Sequence, residues 1–160
     1  MNAPKLTALF ADTADFDLAN RLFFRLYQCS NLMHKHGTRY VSDYGATTQQ
    51  WAVLGALARP KIAEQGMSVK DLTEFLLLSR QNLTVVLERL ETRGLIERVR
   101  DPSDGRSKLI RLSSEGVVVW GEMQKVIGGF YVDALKDLGR EEAIDLVQLL
   151  DKLRSGLNAL

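Results

Sequence analysis

The spacing of apolar residues in this chain is helical almost throughout, with one short interruption past the middle. From Phe16 to His36, Phe16, Ala19, Leu22, Phe23, Leu26, Tyr27 and Met33 recur every three or four positions, which predicts an amphipathic helix. Leu18, Cys29 and Leu32 lie off that stripe, so this helix is expected to be covered from more than one side. Thr47-Thr-Gln-Gln50 reads as a capping box: a threonine hydroxyl and a glutamine amide each satisfy a backbone N–H left unpaired by the first turn. It opens a helix through Trp51, Leu54 and Leu57 to Pro60. Ser68 and Asp71 repeat the device ahead of Leu72, Phe75 and Leu76. Ser79 caps the next helix, whose Leu83, Val86, Leu87 and Leu90 share a face, and Gly94 stands where a left-handed residue closes it.

The interruption follows. Ile96 to Arg100 and Lys108 to Leu112 are strand-like runs around Asp101-Pro-Ser-Asp-Gly-Arg-Ser107, in which Asp104-Gly105 signals a turn. Ser113 then caps a long helix carrying Val119, Trp120, Met123, Val126, Ile127, Phe130, Ala134 and Leu135. Gly128 and Gly129 inside it cost about 1 kcal/mol each relative to alanine, so a kink or a close backbone contact is expected there. Glu141 to Leu157 forms a last helix with Leu146, Leu150, Leu153 and Leu157 on one stripe. A short helix, a tight turn, a second helix and a hairpin make a winged helix-turn-helix. The expected fold is therefore mostly α with a small β-hairpin wing. The helices at both ends carry more apolar surface than so small a module covers, and a homodimer built from them resolves the excess.

Composition adds bounds. Apolar residues are 46% and charged residues 26% of 160, an ordinary balance for one globular domain. No stretch approaches the roughly 20 apolar residues of a membrane span, and Met1 to Asp15 contain no apolar leader core. The lone Cys29 excludes an internal disulfide and fits a reducing compartment, so a cytoplasmic protein without membrane partners is expected. Net charge is only +1, but residues 80–111 hold eight basic against five acidic side chains, a net +3. Residues 112–160 hold five against eight. A basic middle suits a segment facing phosphates.

That middle contains the candidate chemistry. With Leu83, Val86, Leu87 and Leu90 inward, the helical period turns Arg80, Gln81, Thr84, Val85 and Glu88 outward at the start of a helix able to enter a major groove. Arginine can fork onto guanine, glutamine or asparagine onto adenine, and threonine or valine can meet a thymine methyl. Arg106, at the tip of the hairpin turn, suits a narrow minor groove. Asp104 or Asp101 is expected to pair with an arginine and fix the wing. The DNA-contacting candidates are Thr47, Ser68, Ser79, Arg80, Gln81, Asn82, Thr84, Val85, Arg89, Asp104 and Arg106.

Residues 47 to 116 resemble the core of the MarR family of bacterial transcription regulators. The likeness rests on Thr47-Thr-Gln-Gln-Trp-Ala-Val-Leu54, Ser68-Val-Lys-Asp-Leu72 and Leu78-Ser-Arg-Gln-Asn-Leu-Thr84. It continues through Leu90-Glu-Thr-Arg-Gly-Leu-Ile-Glu-Arg98, Asp101-Pro-Ser-Asp-Gly-Arg106 and Leu112-Ser-Ser-Glu-Gly116. The resemblance implies a ligand-responsive regulator, a repressor binding a pseudo-palindromic operator. It implies dimerisation helices at 16–40 and 114–160 and a DNA-binding lobe at 47–112. It makes Arg106 the wing arginine and Asp104 its partner, while Gly105 stands where many members carry a further arginine.

It also implies an effector site between the dimerisation helices and the lobe. There Tyr27, His34, His36, Arg39, Tyr40 and Trp51, with Phe23, Phe24 and Trp120 nearby, would suit an aromatic acid or an acyl-CoA. Catalysis finds no support. His34 and His36 point about 200° apart on a helix, no ligand cluster joins them, and neither a phosphate loop nor a nucleophile elbow is present. No metal or cofactor is expected. Two other readings stay open: redox sensing through Cys29, and an effector-independent architectural DNA-binding protein.

Overall fold

The computed structural model describes residues 13–160; most of the segment searched for a leader, Met1 to Asp15, lies outside them. The elements are α1 (Thr13–Val41), a short 3₁₀ turn (Ser42–Tyr44), α2 (Thr48–Leu57), α3 (Pro60–Gln65), α4 (Val69–Leu76) and α5 (Arg80–Thr92). The hairpin β1 (Ile96–Arg100) and β2 (Lys108–Leu112) follows, then α6 (Ser114–Leu135) and α7 (Arg140–Asn158). This is the mostly helical architecture with a hairpin wing that the periodicity predicts.

The four capping residues act as expected. Thr47 accepts the Gln50 N–H while the Gln50 side chain accepts the Thr47 N–H, and Ser68, Ser79 and Ser113 accept from Asp71, Asn82 and Gly116. Each removes one unpaired donor from a helix start. The strands pair antiparallel from Ile96 opposite Leu112 to Arg100 opposite Lys108, and Met67 bridges to Ile110 as a stub of a third strand.

Two expectations are corrected. The chain does not leave the helix for good at Pro60; this proline begins α3, since its fixed φ suits a first turn and its missing N–H is one no helix needs there. Phe75 on α4 is 50% exposed, and the Arg59 guanidinium lies over its ring 3.8 Å from the centroid. The helix α6 runs unbroken through Gly128 and Gly129, and a Cβ at Gly128 would meet nothing within 4 Å. The close backbone approach lies at Gly116 instead, where a Cβ would fall 1.9 Å from the Leu95 carbonyl oxygen. Together with the Ser113 hydroxyl donating to the Gly94 carbonyl at 2.5 Å, this locks the start of α6 onto the wing.

One core holds the middle of the chain. Leu54 and Leu57 of α2, Leu72 of α4, Leu83, Leu87 and Leu90 of α5, Ile110 of β2 and Met123 of α6 are fully buried in it. Val41 anchors the end of α1 there. At about 25 cal/mol per Å² of apolar area, each such leucine contributes roughly 1.5–3 kcal/mol over an exposed one. Outside this core, α1 before His36 and nearly all of α7 are exposed, with Phe16, Leu22, Phe23, Tyr27, Leu146, Leu149, Leu150 and Leu157 facing away from it.

Candidate functional site

Burial of Leu83, Val86, Leu87 and Leu90 turns the opposite side of α5 outward, so Arg80, Gln81, Asn82, Thr84, Val85, Glu88 and Arg89 are exposed together. The Thr84 hydroxyl donates to the Arg80 carbonyl at 2.8 Å, which commits its proton to the helix. Ser79 and Ser68 are likewise engaged as caps, and Ser68 also donates to the Asp71 carboxylate at 2.7 Å. Lys70, in the first turn of α4, shares a hollow of about 190 Å³ with Arg80. Sequence reasoning passed over this lysine; a cation in a helix's first turn, where the dipole disfavours it, is the signal.

The wing turn is fixed by carboxylates, but not through arginine side chains. Asp101 accepts from the Ser103 N–H at 2.8 Å, the Ser103 hydroxyl at 2.7 Å and the Ser107 hydroxyl at 3.1 Å. The Ser103 bonds above all hold its carboxyl below the usual range. Asp104 accepts the backbone N–H of Arg106 at 3.0 Å, not its guanidinium. The expected aspartate–arginine pair is thus replaced by a backbone bond two residues on, as an aspartate at the start of a turn makes. The Arg106 side chain projects from the tip with no partner among the described residues.

The eight cations of residues 80–111 divide into two sets. Arg98 pairs with Glu91 at 3.0 Å, Arg111 with Glu97 at 2.6 Å, and Arg93 donates to the carbonyls of Tyr44 and Gly45. Arg80, Arg89, Arg100, Arg106 and Lys108 form no ion pair among the described residues, and all are exposed. These five charges flank the outward face of α5 and line the wing. Such a surface attracts a polyanion, and a helix with exposed Arg, Gln and Asn ends and an exposed Thr84 presents it with base-reading groups.

The six effector candidates do not form one site. His36, Arg39 and Tyr40 line a cavity of about 430 Å³. His36 and Tyr40 also border a neighbouring one of about 500 Å³, with Cys29, Leu32, Met33, Phe130, Asp133 and Ala134. The Tyr40 hydroxyl donates to Asp133, and that bond pushes the phenol's pKa up. His34 turns the other way. Its Nδ1 lies 2.6 Å from the Thr48 hydroxyl, in a polar hollow of about 230 Å³ shared with Thr47 and Arg89. Trp51 packs edge-on to Phe130 at 5.8 Å and beside Tyr131, whose own phenol is pushed up by burial. Tyr27 is 68% exposed and lines neither cavity, and Trp120 packs over Gly55. Asp133 and Phe130, about 90 residues from Tyr40 along the chain, are the site residues the sequence did not reveal. Among the described residues there is no cluster fit to hold a metal ion, and no helix is long and apolar enough to cross a membrane.

Known proteins share this arrangement. The sequence model of the MarR family matches residues 44–107, which span the helix-turn-helix and most of the wing. The transcriptional activatory protein BadR of Rhodopseudomonas palustris is 46% identical over 151 residues, covering 94% of this chain and 86% of that protein. The transcriptional repressor CouR, solved bound to a 23-mer DNA duplex, superposes with a TM-score of 0.73 at 26% identity. That match covers 86% of this chain and 95% of CouR. PcaV of Streptomyces coelicolor, solved with its natural ligand, gives a TM-score of 0.65 at 28% identity over 79% of this chain and 89% of PcaV. With an exposed helix start, an unpaired wing arginine and a relative this similar over nearly its full length, the chain belongs to the MarR family of DNA-binding transcription regulators.

Proposed function

We propose that this regulator acts in the cytoplasm as a homodimer on a pseudo-palindromic operator and leaves it when a small anionic aromatic molecule, free or as its CoA thioester, binds. The DNA-contacting set is that of the sequence reading, led by Arg80, Gln81 and Arg106, and Lys70 joins it from its place beside Arg80. The lobe at 47–112 carries it, and the helices at 16–40 and 114–160 supply the dimer contact. The apolar surface exposed on α1 and α7 supports the dimer, because an unpartnered face of that extent is rare on a monomer.

The observation that carries the effector reading is the joint placement of His36, Arg39 and Tyr40 on one cavity, whose His36 and Tyr40 also line the apolar hollow of Leu32, Met33 and Phe130. An aromatic ring suits the apolar part. Arg39 offers two parallel N–H donors to a carboxylate or phosphate. Asp133 repels a free carboxylate at the Tyr40 end, so the ligand's charge belongs toward Arg39. PcaV, solved with its natural ligand, is the precedent for a ligand site on this fold. Repression, the sign named for CouR, is the one proposed. BadR is named a transcriptional activatory protein, so a reporter gene placed behind the selected operator decides the sign: expression that rises when the regulator is removed supports repression.

The test uses an operator selected by the protein from random duplex DNA, titrated with and without a panel of aromatic acids and their CoA thioesters. An effector should lower operator affinity about 5- to 150-fold, the usual range of coupling between sites. Arg39→Ala should bind the operator normally and lose that response. If no compound shifts binding while a peroxide does, and Cys29→Ser removes the peroxide response, redox sensing replaces this reading; Cys29 is exposed and borders the neighbouring apolar hollow.

A further inference from the structure

Arg93 is the last residue of the recognition helix to keep helical geometry, at φ −81° and ψ 0°, and Gly94 at φ +69° then turns the chain into the wing. Its guanidinium reaches back across the molecule. One terminal nitrogen donates to the Gly45 carbonyl at 3.0 Å and the other to the Tyr44 carbonyl. Both acceptors close the 3₁₀ turn that continues α1, and Gly45, left-handed at φ +60°, ends that turn. Carbonyls at such an end have no partner within the helix, and a planar guanidinium satisfies two at once in fixed geometry. Val41 and Ala46, on either side of the turn, are buried in the core, so the turn is itself a firm anchor.

We propose that Arg93 is a positioning residue: it clamps the end of the recognition helix to the end of α1 and so sets how far apart two copies hold their DNA-reading ends. The proposal rests on the dimeric reading above, in which α1 lies in the dimer contact and α5 in the groove. Arg93 lies at the opposite end of α5 from Arg80 and Gln81, so its effect on base reading passes through the orientation of the helix. Its charge is spent on carbonyls, which separates it from Arg80, Arg100 and Arg106. A lysine in its place has one point charge and no fork, and cannot hold both carbonyls in plane.

The experiment measures affinity for the selected operator, for versions with one base pair added or removed between half-sites, and for random duplex, each across a salt series. Light scattering on the same samples reports the assembly. Arg93→Ala should weaken binding to the native spacing by about tenfold, comparable to one mismatched base pair. It should lose most of the discrimination between spacings while its salt slope and random-duplex affinity stay at the wild-type values. Arg93→Lys should fall between. Should Arg93→Ala not fold, Arg93→Gln carries the same measurement. A slope flattened by about one would mean that Arg93 touches phosphate, and the proposal would be wrong. Unchanged discrimination by a proven dimer overturns the clamp alone, whereas a monomer in light scattering overturns the dimeric reading and the spacing role with it.

Discussion

The lobe in the middle of the chain and the helices at its ends are made of the same residue types in opposite circumstances. Leu54, Leu57, Leu72, Leu83, Leu87 and Leu90 are buried to within 1% of completely, whereas Leu22, Leu149, Leu150 and Leu157 are 42–60% exposed. No buried side-chain polar atom among the described residues lacks a partner, so the lobe closes with its hydrogen bonds satisfied as well. The end helices are just as regular, and α7 has acidic residues in its first turn and the Glu142 carboxylate accepting the Gly139 N–H. Local helix chemistry is therefore complete in both regions. What differs is tertiary cover. The lobe needs nothing from another molecule to bury its apolar face, and the ends carry an apolar face that one chain leaves uncovered.

The strongest test of this contrast is a cavity in the lobe. Leu54→Ala should destabilise the protein by ~2–5 kcal/mol in chemical denaturation, as large-to-small changes at fully buried leucines do. A loss under 1 kcal/mol would place the core elsewhere. Next comes the same kind of residue in the other region. Leu149, 60% exposed in the single chain, should tolerate Glu without unfolding the lobe, yet the dissociation constant of the proposed dimer should rise by roughly tenfold or more, since burying a leucine stabilises by about 1.5–3 kcal/mol. Sedimentation at a series of concentrations reads this directly. A variant with unchanged association would show that this part of α7 is truly solvent-facing.

The smallest effect on the fold should come from the lobe's surface. Arg106→Ala should leave melting and assembly alone, weaken operator binding, and flatten its salt dependence by about one unit of slope. DNA titrations from low to moderate salt check it. An unchanged slope would remove the wing tip from the phosphate-facing set.

The sequence made regular local patterns legible and left their meetings across the chain unread. Both strands and all four side-chain caps were readable because each depends on residues within a few positions: an alternating run, or a serine three residues ahead of the N–H it accepts. The α3 helix was missed for an equally local reason, since a proline stops one helix and starts another with the same ring. The opposed directions of His34 and His36 followed from the helical period. Their separate destinations, a threonine hydroxyl for one and the Arg39–Tyr40 cavity for the other, depend on how α1 packs on α2 and α6. Arg93 and Arg106 look alike in the sequence. Only the fold shows that one charge is spent on carbonyls and the other is free.

The lock between Gly116 and Leu95 makes α6 a mechanical arm. Its 22 residues are about 33 Å long, and it is pinned to the wing at one end while Phe130 and Asp133, near the other, border the cavity beside Tyr40. Even a methyl group at position 116 would have to push the start of α6 off the Leu95 carbonyl, so the joint that carries this length of helix has room for glycine alone.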